Sequence, residues 1–424
     1  MRPKYAVPVV LLWAAALVIA GDSRADDARL GANVESLLDY ARGNPEYAAM
    51  RYEADAAGDR VYPAGALPDP LFRMELQNIT NAGSSAPPSL LPNKVGSTKY
   101  TLLQPLPFWG KRDLKREVAE ADAEQAHGRA AMTWSELAAN VKTTFARYYL
   151  VVHNEELTRE ILDLLSRLER IALVRYESGL APQQDVIRAQ VELSTMRGEL
   201  LMQEGERAGL EATLNSLLAR KASARLAPPE RLRPVPPPAR LDEDVLVDRL
   251  QSHNPQLFAN DARIRAAEKN RELTYRNRYP DFAIGVSPIQ MGSRIGEWEV
   301  MLEVNIPLQQ GTRRSQESEA GSMLSSARLQ KEAVANRLIG ELVENIAGLK
   351  AAQRIEILTT TSLLPQSEAT LQAALAGYET GKVDFATLLD AQRQIRKSRQ
   401  DRLKAQADAQ ARLAAIERLL GADL

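Results

Sequence analysis

Apolar residues recur along most of this chain at spacings of three and four, the period of a helix buried along one side. The clearest stripe is Trp134, Leu137, Val141, Tyr148 and Val152, continued by Leu157, Ile161, Leu164, Leu168 and Ile171. No proline interrupts Lys111 to Arg175, so a single helix is expected there, and at 1.5 Å per residue it would run roughly 100 Å. A stripe this narrow and this long is that of a coiled coil. Residues 34–66 are helical in pattern too, with a break at Asn44-Pro45. A further helix is expected to reach about Leu218.

In two places the period drops to two, the signature of a strand with unlike faces. LFRMELQ (Leu71 to Gln77) and YTLLQPL (Tyr100 to Leu106) flank a loop rich in Gly, Ser and Pro from Asn78 to Gly96. From Glu297 to Ile306, Trp298, Val300, Leu302, Val304 and Ile306 alternate with Glu297, Glu299, Met301, Glu303 and Asn305. Asp281 to Ser287 is its expected partner, with a loop from Pro288 to Gly296. The reading is two hairpins, over 71–106 and 281–307. One face of each is apolar, with Leu302 near its middle, and the other carries Glu75, Glu297, Glu299 and Glu303.

The chain is also duplicated. YESGLAPQQDVIRAQ (Tyr176 to Gln190) returns as YETGKVDFATLLDAQ (Tyr378 to Gln392). In each copy a long helical pattern ends at Tyr-Glu-Ser/Thr-Gly, where Gly179 and Gly381 are free to take the left-handed conformation that closes a helix. Pro182 and Asp384 then open the next helix. Asn254-Pro255 stands where Asn44-Pro45 stood, and Tyr279-Pro280-Asp281 replaces Pro68-Asp69-Pro70. Gly311 is expected to open a second long helix as Gly110 opens the first, and that helix is expected to kink at Pro365 and reach Gly377. These marks divide the chain into repeats at 26–222 and 242–424, each ending in a long helical hairpin (110–218 and 311–421). A proline-rich, stiff linker at 223–241 joins them.

Arg2 and Lys4, the apolar run from Ala6 to Ala20 and Ser23-Arg24-Ala25 read as a secretory signal occupying residues 1–25. No other stretch is apolar and long enough for a membrane helix, so any membrane-spanning part must be made of strands. Such a sheet must close, four strands are too few, and several chains must contribute.

Composition narrows the chemistry. There is no cysteine among the 424 residues, which removes disulfides, thiolate ligands and thiol nucleophiles. The net charge of -1 leaves no basic footprint for nucleic acid. His127, His153 and His253 are scattered, and neither a phosphate-cradling glycine loop nor a nucleophile elbow is present. The reading is of no enzyme, no cofactor and no metal site. Asn78-Ile79-Thr80 matches a glycosylation sequon by chance.

Asn44-Pro45, ALPDP from Ala66 to Pro70, QPLPFWGKR from Gln104 to Arg112, the two Tyr-x-x-Gly turns and the duplication, in this order and spacing, resemble the outer-membrane efflux proteins of the TolC family. The resemblance spans the whole mature chain. It implies a mainly α fold with a small β part. A homotrimer would form a twelve-stranded barrel through the outer membrane of a Gram-negative bacterium, continued by a helical barrel across the periplasm. It also implies a passive duct for cargo delivered by an inner-membrane pump of the RND type through a periplasmic adaptor protein. Contact with outer-membrane lipid is implied, but no lipid anchor, because the cysteine that carries one in some relatives is missing.

By the same resemblance Tyr176, Gly179, Leu180, Tyr378, Gly381 and Lys382 form the turns that meet the adaptor. The family's acidic tip positions fall on Thr387 and Asp390, so only Asp390 matches. Asp185 and Asp384 are the other candidates for a pore gate, a ring of three carboxylates in a trimer. Helix-start stabilisation is the alternative role for Asp185 and Asp384. The ALPDP and PFWGK runs look most like members serving heavy-metal resistance, with multidrug and protein-export ducts as alternatives. A secreted trimeric coiled-coil scaffold is the rival from another class, and two hairpins with an apolar face argue against it.

Overall fold

The computed structural model describes residues 30–80 and 87–424. The expected signal segment, residues 1–25, lies outside them, as does part of the loop expected at Asn78 to Gly96. In chain order the elements are α1 (Val34–Ala41), α2 (Pro45–Asp59), α3 (Val61–Gly65), β1 (Leu71–Gln77), β2 (Ser97–Leu106), α4 (Lys111–Glu177), α5 (Gln183–Leu217), α6 (Glu243–His253), α7 (Pro255–Arg276), β3 (Asp281–Met291), β4 (Arg294–Asn305), α8 (Gln310–Leu358), α9 (Leu364–Glu379) and α10 (Phe385–Leu420). The fold is mainly α with a small antiparallel sheet. It forms two compact units, one from residues 30–48, 133–250 and 339–424, the other from residues 49–132 and 251–338, so each unit draws on both halves of the sequence.

Both Asn-Pro pairs start helices. Asn44 Oδ1 accepts from Glu46 N at 2.7 Å and Asn254 Oδ1 from Leu257 N at 2.9 Å, and the proline that follows needs no donor in the first turn. Asn44 also donates its Nδ2 to Leu217 O at 2.8 Å, closing the end of α5.

The sheet-bearing unit pairs its four strands in the order β1-β2-β3-β4, so the two hairpins meet at β2 and β3. Here the structure corrects the expected loop at Pro288 to Gly296. β3 runs on through Pro288 to Met291, and a two-residue turn with Gly292 at φ +64° leads into β4. A proline inside a central strand is tolerable because the β2 ladder skips Ser287 and Pro288, where the missing N–H would have been needed. Gly296 is the extra residue of a bulge, with Ile289 opposite Glu297 but Gln290 opposite Ile295. β2 also begins at Ser97, three residues before its expected start.

In the other unit the long stripe on α4 divides between two cores. Leu137, Val141, Phe145, Tyr148 and Val152 pack with Val34 and Leu37 of α1 and Leu214 of α5. Leu157, Ile161, Leu165 and Leu168 pack with Leu193 and Met196 of α5 and with Phe385 and Leu388 of α10. Between the cores, Glu155 is buried and held by Arg159 at 2.9 Å and Arg207 at 3.3 Å.

The proline-rich segment is extended but is no free spacer. Ala227 N donates to Leu30 O at 2.8 Å, Gln353 Nε2 to Pro236 O at 2.9 Å, and Arg233 Nη2 to Glu417 Oε2 at 2.8 Å. Glu417, buried near the end of α10, also receives Lys142 Nζ from α4 at 2.7 Å. The expected kink at Pro365 takes the form of a π turn, Thr359–Leu363, just ahead of it. Pro365 cannot donate to residue 361 and its ring would crowd that carbonyl, so the widened turn absorbs the break. Gly311 is the second residue of α8, which begins at Gln310.

Candidate functional site

The sheet separates its side chains by face. Register places Phe72, Leu102, Ile284, Val286, Val300, Leu302 and Val304 on one side. These side chains are exposed, Val300 as much as 79%. A sheet face of this composition in water would cost its full hydrophobic area, about 25 cal/mol per Å². Leu302 lies nearer the β4 end at Asn305 than expected, and Val300, opposite Val286, is the middle of the face.

Glu75, Glu297, Glu299 and Glu303 share the opposite face, but so do Arg73 and Lys99. Lys99 pairs with Glu299, and Arg73 lies 3.8 Å from Glu75. The expected acidic face is therefore partly neutralised, with Glu297 and Glu303 opposite the apolar Ile289 and Ala283. The outer edges of β1 and β4 have no strand partner among the described residues, and such edges demand one.

The two turns close their helices in the same way. Leu180 N donates to Arg175 O and Lys382 N to Gly377 O, both at 2.8 Å, across Gly179 (φ +72°) and Gly381 (φ +71°). This is the six-to-one bond of a Schellman turn, and it needs a left-handed residue. Tyr176 and Leu180 are exposed, whereas Tyr378 is buried against Phe385, ring centroids 5.3 Å apart. Arg175 reaches from the first turn to the second. Its guanidinium lies 4.9 Å from the Tyr378 ring centroid, and Nη1 donates to Glu379 O at 2.9 Å.

The three candidate carboxylates have three surroundings. Asp185 is buried, and burial pushes its carboxyl above the usual range, with Arg188 acting against the rise and Asp384 reinforcing it. Burial also raises the neighbouring Tyr378, and the charge of Asp185 adds to that rise. Asp384 caps α10, accepting from Thr387 N at 2.8 Å, and hydrogen bonding from the Thr387 side chain first, then from this backbone N–H, holds its carboxyl low. Asp390 is exposed and lies 3.6 Å from Arg393, which also grips the buried Glu192 at 2.6 Å.

Sequence reasoning missed two residues here. Arg175 carries no signal of its own, because its counterpart in the second half is Gly377. Lys111 sits inside the PFWGK run, yet its role rests on a residue 170 positions away: its Nζ donates to Asp281 Oδ1 at 2.8 Å and Tyr279 O at 3.0 Å. The same oxygen accepts from Phe108 N at 2.8 Å, and Phe108 stacks on Tyr279 at 4.6 Å. One hairpin's exit is thereby pinned to the other's start. Among the described residues no helix is long and apolar enough to cross a membrane, and no group of three or more His, Asp or Glu side chains is placed to hold a metal ion.

A family model described as outer membrane efflux protein matches residues 39–220 and 246–422. The cobalt-zinc-cadmium resistance protein CzcC of Cupriavidus metallidurans is 23% identical over 399 residues, covering 92% of this chain and 90% of that one. Among solved structures, the outer membrane protein VceC of Vibrio cholerae superposes with a TM-score of 0.78 at 16% identity, over 92% of this chain and 96% of that one. CusC, described with transmembrane channel formation, gives 0.78 at 18% identity over 92% of both chains.

Proposed function

The chain belongs to the outer membrane efflux protein family, and from that premise we propose that it is the channel subunit of a tripartite export route for heavy-metal cations. Three copies close their four-stranded sheets into one barrel through the outer membrane, because only closure across chains removes the open edges of β1 and β4. The helical hairpins continue the duct through the periplasm. The turns at Tyr176, Gly179, Leu180 and at Tyr378, Gly381, Lys382 dock the adaptor of an inner-membrane pump of the RND type. Asp390, with Asp185 as the second carboxylate, forms the gate, and Asp384 contributes by fixing the start of α10.

The observation that carries this reading is the exposed apolar face of the sheet set against its charged face. Lipid covers the first and water fills the second. Cargo follows from the cobalt-zinc-cadmium resistance relative, and the duct performs no chemistry on it. A strain lacking the gene should lose tolerance to cobalt, zinc or cadmium, and loss of tolerance to organic toxicants alone would mean a multidrug duct instead. For the barrel, Val300→Arg should cost about 2–4 kcal/mol of stability in membranes. Leu302→Arg, nearer the strand end, should cost less, and Glu303→Arg should insert normally. Insertion assays comparing the three decide it, and equal damage from all would exclude a lipid-facing sheet.

A further inference from the structure

The apolar face of the sheet continues past the ends of its strands. Where β2 leads into α4, a cleft of about 480 Å³ opens, walled by Phe282, Ile284 and Leu302 of that face and by Leu67, Phe108 and Trp109. Trp109 is 74% exposed, with its ring 6.0 Å from Phe282 and 5.4 Å from Phe108. Tryptophan and tyrosine collect where hydrocarbon gives way to water, because an apolar ring and a polar N–H or O–H are both accommodated there. Arg112 and Asp113 complete the lining. Arg112 Nε donates to Gly65 O at 2.9 Å. Among the described residues, neither its Nη groups nor the Asp113 carboxylate has a hydrogen-bond or ion-pair partner.

We propose that this cleft holds one phospholipid per chain, of the class whose headgroup carries a primary ammonium beside its phosphate. The phosphate sits on Arg112, the ammonium on Asp113, and an acyl chain lies along Phe282, Ile284 and Leu302. This rests on the channel reading above, since only a lipid-facing sheet brings hydrocarbon to that wall. Arginine alone would accept any phosphate, because its fork of N–H donors matches phosphate oxygens. The adjoining carboxylate adds selection: it repels a headgroup without a cation and gains no N–H from a quaternary amine. The same lipid would hold the Trp109 corner at a fixed depth in the bilayer.

The full-length chain, purified in detergent, is titrated with phosphatidylethanolamine, phosphatidylglycerol or phosphatidylcholine, and retained lipid is counted by native mass spectrometry. Phosphatidylethanolamine should be retained at one molecule per chain, with a preference of about tenfold over the other two, the factor expected of one charge-assisted hydrogen bond. Arg112→Gln keeps a donor for Gly65 O and should lower retention of all three lipids. Asp113→Asn should erase the preference. Equal retention of the three lipids by the unaltered protein, or no change in either variant, would overturn the assignment. A second measurement separates this from failure of the channel reading. Trp109→Phe with Trp134→Phe leaves Trp298 as the reporter on β4 in the chain after residue 25. Trp298 lies outside the cleft and reports only the sheet face: its quenching by brominated acyl chains together with equal retention of the three lipids removes only the cleft, whereas no quenching removes the lipid-facing sheet and the cleft with it.

Discussion

At the first turn Tyr176 is 42% exposed and Gly179 has open space around it; at the second Tyr378 is 2% exposed and Gly381 lies against Arg175. The backbones are nevertheless the same, down to the six-to-one hydrogen bond and the left-handed glycine. Duplication has preserved what the chain needs in order to reverse direction. The side chains have since divided the labour. Arg175 corresponds to Gly377, Arg188 to Asp390, and the exposed Gln190 to the fully buried Gln392. One copy has become surface plus a reaching arginine, and the other has become the core that the arginine clamps.

The largest test of that division removes the tyrosines. Tyr378→Ala empties a buried aromatic site and should cost about 3–5 kcal/mol, while Tyr176→Ala should stay within about 0.5 kcal/mol. Thermal unfolding followed by circular dichroism compares them, and equal losses would mean that the two turns are equivalent after all. Next comes Gly377, where an added Cβ would meet Val383 Cγ2 at 2.5 Å. Gly377→Ala should cost about 1–3 kcal/mol by overpacking, and adding Val383→Ala should restore much of the loss. A rescue of this kind ties the cost to that contact rather than to helix propensity, which favours alanine.

Charge sharpens the comparison through conductance. In the proposed trimer Asp390→Ala removes three carboxylates from the tip, so a channel in a planar bilayer should discriminate less for cations and leak more. Arg188→Ala, at the matching position of the first half, should shift selectivity the other way. If Asp390→Ala leaves both quantities unchanged, the gate lies elsewhere.

The smallest effect is a pH dependence at Asp185. Its folded pKa is raised chiefly by burial, so the folded state binds the proton more tightly than the unfolded chain. The stability this contributes is complete below the unfolded carboxylate value of about 4 and is lost as pH rises through the folded value. Asp185→Asn carries no charge to bury and should be more stable than the unaltered protein at neutral pH. The gap should close as pH falls toward about 4, and a gap that widens on acidification would reverse the assignment of burial as the cause.

Much of this architecture was legible in the residues. The uninterrupted stripe on α4, the alternation along β4, the Asn-Pro helix starts and the two glycine turns are local patterns, and each formed where its period or its cap residue indicated. The strand face is legible for the same reason, since alternation along one strand already separates apolar from charged positions. Pro288 misled because a proline ends a strand only when its neighbour asks for the missing N–H, and the neighbour, β2, lies far away in sequence. The residues proposed for a gate were the least legible part: Asp185, Asp384 and Asp390 are alike as letters, and their burial, capping bond and exposure depend on what packs beside them.

The sequence by itself determined the periods, the caps, the reversals and the duplication, because these are set by interactions within a few residues and every copy of the pattern pays the same steric and hydrogen-bonding costs. Only the tertiary structure decided that Lys142 meets Glu417 across 275 positions, that Lys111 pins Asp281, that the proline-rich segment is strapped down and that Tyr378, not Tyr176, is buried. Each of these sets a side chain against a partner contributed by a distant segment, and burial strengthens such contacts only once the rest of the chain has excluded water around them.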